Sequence, residues 1–484
     1  MPFNSPQYFL FLPIVYLLFY FAGERARWPV LLAASLFFYA ALMVPHLLVV
    51  LVLVAMTTYA FGIWLDQADT PKAKRALLWG GIATNVLILA GMKYLPFIAE
   101  NLRALSFLLS LNVQIQPVQA FVAIGVSYYV FQAISYLFDI SLEIEKPERH
   151  FGYFALYLTF FPKLLQGPIE RAGDLIPQLK QKYEFNYDNM RLGLLLFTWG
   201  LFKKVVVADR LALYVDAVYN DVYAFTGLPL LLATYAYAFQ IYMDFSGYTD
   251  MALGTALLFN INLTQNFNSP YLATSVADFW RRWHISFSRW ILDYIFKPLQ
   301  MQWRNGRNWG TASALFVAFL ISGIWHGASW GFVVWGGLHG LYLASSVFYK
   351  PYQKKLHKAL GIEKTKRLKI WQIFVTFNLV SFSWVFFRAG SLKEAVYVIS
   401  NMFNGIKGLW SNFLLSQGKS HLELTIAAIL VFAYLATKIF KQNGMNELTK
   451  KSCLYRYLVY NSLIFLILFL AKYSAAKSFI YFQF

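Results

Sequence analysis

The sequence predicts an all-α, polytopic membrane protein. Three observations carry that prediction. Of 484 residues, 59% are apolar and 13% charged, against ~25% charged in an ordinary soluble domain. Apolar runs of the ~17–25 residues needed to cross a bilayer recur along the chain. No polar stretch is long enough to fold as a separate soluble domain, so residues 1–484 read as one integral membrane domain. Backbone groups in hydrocarbon must be satisfied within their own segment, which makes each run a helix.

In chain order the runs are 5–23, 28–44, 47–65, 76–92 and 121–138, then 192–208, 228–243, 311–325, 329–349, 370–387, 424–440 and 457–473. Hydropathy therefore predicts about eleven or twelve spans. The first run has no basic flank and no small-residue cleavage site, so it is expected to stay as the first helix rather than be removed as a signal. Residues 1–140 read as scaffold hairpins, 141–350 as the functional core and 351–484 as C-terminal helices.

The net charge of +19 reflects membrane topology. Nucleic acid is not expected as a partner, because the basic residues sit between spans. KAKR (72–75), Arg25, Arg27 and the eight Lys and Arg of 350–369 mark cytoplasmic loops by the positive-inside rule. That places the N-terminus outside. Anionic lipid or an acidic soluble donor protein is an expected contact of the cytoplasmic charge. Cys453 is the single cysteine, so no disulfide within the chain and no cysteine metal site can form. It reads as an incidental thiol in a basic loop.

Two regions depart from plain hydrophobic helix. The first, 141–190, carries EIEKPERH (143–150) and FPKLLQGPIER (161–171). Prolines 162, 168 and 177 forbid one continuous helix. Short helices and turns at the cytoplasmic face are expected. The second runs from QIYMDFSGYTD (240–250) to 310. A helix is predicted from Ser275, with Asp278 in its first turn. Phe279, Trp283, Phe287, Trp290 and Ile291 recur at helical spacing. Arg281, Arg282, His284 and Arg289 make it too polar for a lipid-facing span. An interfacial or re-entrant helix fits.

Seven histidines occur. His46, His150, His357 and His421 fall in loops or at span edges, where solvated roles are expected. His326 lies between two apolar runs in SGIWHGASWGFVVWGGLHG (322–340). An ionisable group at that depth usually faces a cavity or a partner. Glycines 323, 327 and 331 would let a backbone or a ligand approach closely. On an unbroken helix His339 would stand about 220° around from His326, so it reads as a packing group bonded to a backbone carbonyl. Close-spaced ligand motifs such as His-Glu-x-x-His are missing, and no metal is expected.

The segments RRWHISFSRWILDYIFKPL (281–299) and SGIWHGASWGFVVWGGLHG (322–340) resemble the membrane-bound O-acyltransferase (MBOAT) family. QAISYLFDI (132–140), FPKLLQGPIER (161–171), FQIYMDFSGYTDMALG (239–254) and NFNSPYLATSVADFWRRWHIS (266–286) resemble its bacterial branch that modifies exported polysaccharides. The branch includes the alginate O-acetylation protein and the teichoic acid D-alanyl transferase. The resemblance implies a ring of helices around a central tunnel, with His326 catalytic and His284 its partner. QMQWRNGRNWG (300–310) departs from the glycine-rich turn expected there. The long extension after SFSWVFFRAGS (381–391) is similar to members that act on alginate-like polymers. The expected setting is the bacterial inner membrane.

Acyl transfer from a thioester to a hydroxyl needs a base, an oxyanion donor and exclusion of water. A neutral His326 suits the first role, worth ~10²–10⁴-fold, and burial favours the neutral imidazole. His284 or the indole N–H of Trp325 suits the second. Trp283 and Asp244 are further candidates for the tunnel wall, with Asp244 and Asp250 expected to pair with an arginine. Arg281, Arg282, Lys203 and Lys204 are candidates for the donor's phosphates. No resident cofactor is expected. The substrates would be an acyl thioester, acetyl-CoA or an acyl carrier, and a polysaccharide or a periplasmic transferase partner. Two other classes stay open: a transporter or channel, and a membrane subunit with a silent histidine. Within the branch, D-alanyl transfer is the alternative to acetyl transfer.

Overall fold

The computed structural model describes residues 1–111, 113, 116–119, 121–404, 447–448, 450–471 and 479–480. Among them there are helices and turns and no strand. His421 and the apolar run 424–440 lie outside the described residues, as does the end of the run 457–473. The chain divides into two compact units. One comprises Met1–Gly193 with Ala252–Thr264; the other comprises Leu194–Met251 and the described residues from Gln265 onward.

In the first unit α1 (Pro6–Phe21) and α2 (Glu24–Ala40) precede two long hydrophobic helices, α3 (Pro45–Gln67) and α4 (Pro71–Lys93). α1 and α4 start in the same way. Ser5 and Thr70 accept the N–H groups of Tyr8 and Ala73, and a proline follows each cap. Such a cap satisfies a donor the helix start would otherwise leave open. α5 (Leu95–Leu108) is shorter, and α6 (Val126–Ser141) is almost entirely buried. Lys74 pairs with Glu143 at 2.7 Å, and Arg149 with Asp66, so the basic first turn of α4 and the end of α3 lie beside the charged loop 143–150.

As the prolines predict, the region 141–190 is broken into short helices and turns, and its middle, 154–170, is buried. α7 (Phe151–Thr159), α8 (Phe161–Leu164) and α9 (Ala172–Lys180) form a buried hairpin. Pro162 occupies the first turn of α8, where a missing N–H does no harm. Lys163, Gln166 and Glu170 are no more than 2% exposed. The Lys163 ammonium donates to Gln132 Oε1 and lies 5.0 Å from the Tyr157 ring centroid. Glu170 accepts from the backbone N–H of Thr264 at 2.6 Å and from its hydroxyl at 3.0 Å. Charges go inward here because partners await them, which local composition does not reveal. α10 (Tyr187–Phe202) follows.

The second unit holds α11 (Asp209–Tyr219), α12 (Leu228–Leu258) as far as Met251, α13 (Val276–Trp280), α14 (Ile285–Ile291) and α15 (Lys297–Gln302), with π-helical turns at Lys203–Ala208 and Leu292–Phe296. Then come α16 (Arg307–His326), α17 (Trp330–Ala359), α18 (Lys366–Arg388), α19 (Leu392–Asn401) and α20 (Cys453–Leu470). Cys453 is exposed and opens α20 after the cap Ser452. The segment 300–310 forms the end of α15, a 3-10 turn and the start of α16.

By length and composition, six helices among the described residues can cross a membrane: α3, α4, α16, α17, α18 and α20. That is fewer than hydropathy alone predicts. Several apolar runs end early or break, leaving α1, α2 and α6 with 16 or 17 residues. The chain is a multi-pass membrane protein.

Candidate functional site

The site lies in the second unit and is built at two helix breaks. The first follows α13. The helix starts after Ser275, as the sequence predicts, and Ser275 caps it by accepting the N–H of Asp278. α13 then lasts only five residues. His284 sits at φ 44°, ψ 55°, a left-handed conformation that is uncommon for a residue with a Cβ. It separates α13 from α14, so the expected single amphipathic helix is two helices. Asn266 stabilises the break. Its carbonyl accepts the N–H of Ile285 at 3.0 Å, and its Oδ1 accepts the N–H of Ser286 at 3.0 Å. Those are N–H groups that a new helix start leaves open. Asn268 adds a bond from its N–H to the Arg282 carbonyl at 2.9 Å.

The second break ends α16 at His326. Gly327 and Ser329 are extended, and α17 begins directly after Ser329. α16 and α17 then pack backbone to backbone. A Cβ on Gly323 would stand 2.8 Å from Gly336 Cα and 2.4 Å from the Phe332 carbonyl oxygen, so only glycine permits this approach. A Cβ on Gly331 would stand 2.6 Å from the Phe386 carbonyl oxygen. These glycines receive protein backbone.

His326 is 3% exposed and His284 fully buried. The His326 ring lies 4.7 Å from Trp325, 4.8 Å from Trp335, 5.4 Å from Phe387 and 5.5 Å from Phe287, centroid to centroid. His284 lies 5.0 Å from Phe287 and 6.2 Å from Trp325. Trp325 and Phe287 stack on each other at 4.3 Å. The two histidines expected to act together are therefore joined through one aromatic pair. Trp283 packs behind them, 5.5 Å from Phe279 and 5.3 Å from Trp384.

His339 is also closer to the site than helical phase suggests. The break at Gly327 resets the phase, and Trp335 lies 5.0 Å from His339 as well as against His326. The bonding of His339 differs from expectation too. Its Nδ1 accepts the indole N–H of Trp280 at 3.2 Å, and its Nε2 lies 2.9 Å from the Ser383 hydroxyl. The Ser383 hydroxyl donates to the Val380 carbonyl at 2.7 Å. Nε2 therefore carries the proton and donates to Ser383. His339 ties α13, α17 and α18 together as a neutral imidazole.

The charged candidates separate into two groups. Arg281 is exposed, and Arg282 pairs with Asp278 at 3.1 Å. Lys203 and Lys204 are buried on the π-helical turn. Lys203 pairs with Asp250 at 2.5 Å; Lys204 pairs with Asp244 at 2.6 Å and Asp209 at 2.9 Å. Lysines, rather than the expected arginines, neutralise these aspartates. Asp244 also accepts the backbone N–H of Ile480 at 2.9 Å, and Phe479 lies under the Lys204 ammonium at 4.6 Å. Asn266 and Trp335 are the site residues that sequence reasoning passed over. Neither side chain titrates, so neither carries a signal in hydropathy or charge spacing.

A buried imidazole walled by aromatic rings can exchange a proton where bulk water is scarce. The sequence model of the membrane-bound O-acyltransferase family matches residues 35–388, a range that takes in both breaks. A peptidoglycan O-acetyltransferase of Helicobacter pylori is 35% identical over 446 residues, covering 84% of this chain and 80% of that protein. A probable alginate O-acetylase of Pseudomonas aeruginosa is 34% identical over 438 residues, covering 89% of this chain and 79% of that protein. A teichoic acid D-alanyltransferase of Bacillus subtilis is 25% identical over 271 residues, covering 54% of this chain and 68% of that protein. With a family match of that length and relatives of that identity, the chain belongs to the membrane-bound O-acyltransferase family and is an O-acyltransferase.

Proposed function

We propose that this protein moves an acetyl group from a cytoplasmic thioester to a hydroxyl of an envelope or exported glycan. The transfer is direct or passes through a periplasmic partner. Its membrane is the bacterial inner membrane, where a cytoplasmic donor and an external acceptor can meet. The observation that carries this reading is the pairing of His326 and His284 through Trp325 and Phe287. Acetyl is favoured over D-alanyl because the O-acetylating relatives share 34–35% identity and the D-alanyl relative 25%.

In this reading His326 takes the proton as the acceptor oxygen attacks the thioester carbonyl. The new C–O bond forms, the C–S bond breaks, and the proton passes from His326 to the departing thiolate. His284 stands across the Trp325–Phe287 pair and supports the developing charge. The thioester is acetyl-CoA or an acyl carrier, entering past the exposed Arg281. Lys203 and Lys204 keep their carboxylate partners and hold the core in register.

The test is acetyl transfer by His326→Ala in native membranes, with protein levels matched to the wild type. Loss of labelled acetyl in the glycan fraction supports the reading. Undiminished acetylation would remove His326 from the chemistry. Uptake of intact labelled donor into sealed vesicles would instead support transport.

A further inference from the structure

The tryptophans around His326 differ in what their indole N–H groups do. Trp280 donates to His339 at 3.2 Å, and Trp384 donates to the Tyr271 hydroxyl at 3.2 Å. Trp335 stands between these two, fully buried, and its Nε1–H has no hydrogen-bond partner among the described residues. A buried donor left open is uncommon and asks for an explanation. Its ring packs against four others besides His326. It stacks on Trp384 at 5.6 Å and 22°, and meets Phe387 at 5.3 Å, Trp280 at 5.8 Å and His339 at 5.0 Å. Its remaining neighbour is His326, edge-on at 4.8 Å.

We infer that the indole N–H of Trp335 donates to the acyl carbonyl oxygen as negative charge develops there. The inference rests on the acyl-transfer reading of His326. A donor fixed by packing before the substrate arrives needs no reorganisation during reaction, and low-dielectric surroundings strengthen its bond. Trp335 is suited to this because its neighbours on α13, α17 and α18 are themselves bonded in place. The acceptor oxygen attacks, His326 takes its proton, and the carbonyl electrons move onto the carbonyl oxygen, which accepts from the Trp335 N–H. As the C–S bond breaks those electrons return to the carbonyl, and the proton goes to sulfur. Nothing further is consumed. Trp325 differs in position: it stacks flat on Phe287 and serves as the wall that both histidines share.

The experiment uses the full chain reconstituted in proteoliposomes, with labelled acetyl-CoA outside and glycan oligosaccharides inside. Trp335→Phe removes the donor and keeps an aromatic ring. Replacement by benzothienylalanine keeps the whole bicycle and lacks only the N–H. Both are expected to lower kcat about 10²-fold, in the range seen when one oxyanion donor is lost, with donor KM within about twofold and an unaltered thermal midpoint. A kcat near wild type in the benzothienylalanine protein overturns the inference. So does a loss that follows a lower thermal midpoint, since the N–H would then act in packing. His326→Ala, measured alongside, tests the underlying reading separately: if it stays active that reading fails, whatever Trp335 does.

Discussion

His284 precedes α14, His326 ends α16, and both lean on the same two rings. Phe287 lies 5.0 Å from the first and 5.5 Å from the second; Trp325 lies 6.2 Å and 4.7 Å from them. Each histidine sits at a helix break, one entering α14 and one leaving α16. The breaks place two imidazoles beside one aromatic pair, which two uninterrupted helices would not do. Removing either imidazole should act on turnover. His326→Ala is expected to lower acetyl transfer by ~10²–10⁴-fold, the usual worth of a general base. Initial rates in membranes at matched protein levels provide the check.

Asn266 should matter through His284. With Ala at 266 the Ser286 N–H loses its acceptor in a buried setting, a penalty of ~1–3 kcal/mol. A continuous α13–α14 helix then competes with the break. Asn266→Ala is expected to cut kcat at least tenfold, while Asn266→Asp, which keeps the acceptor oxygen, retains the larger part. Equal losses in the two variants would contradict this, and kcat measured beside donor KM distinguishes the cases.

Lys204 is expected to act on folding. Lys204→Met strands Asp209 and Asp244 without their cation, and breaking a buried pair costs ~3–5 kcal/mol. The yield of folded protein and its thermal midpoint in detergent should fall sharply. A rise in donor KM at normal stability would point instead to phosphate binding.

The glycine contact between α16 and α17 is open to a steric test. Gly323→Val places a Cβ against the Phe332 carbonyl and Gly336 Cα. Overpacking of this kind costs ~1–3 kcal/mol. Because α16 ends at His326, activity should fall together with the thermal midpoint. Gly337→Ala is the control: a Cβ there meets nothing within 4 Å, and both readings should stay near wild type.

His339 should show the signature of a neutral structural imidazole. His339→Ala leaves the buried Trp280 indole N–H without its acceptor, costing ~1–3 kcal/mol for a buried unpaired group. The midpoint should drop, while the pH dependence of the remaining turnover should match wild type. A changed pH profile would show that His339 takes part in proton transfer.

The amino-acid sequence by itself determined the all-α membrane class, the helix start at Ser275, the positions of the long apolar helices and the prominence of His326. Those properties rest on composition, on capping chemistry and on the cost of an ionisable group in hydrocarbon, all of which are local. Tertiary structure decided the rest. It brought His339 beside His326 through Trp335, turned Lys163 and Glu170 inward, matched Lys203 and Lys204 to aspartates, and selected the break at His284 through Asn266. Helical phase is lost at every break, and a charge's partner can come from any distant segment. Neither fact is written in the spacing of neighbouring residues, so only the packed chain could settle them.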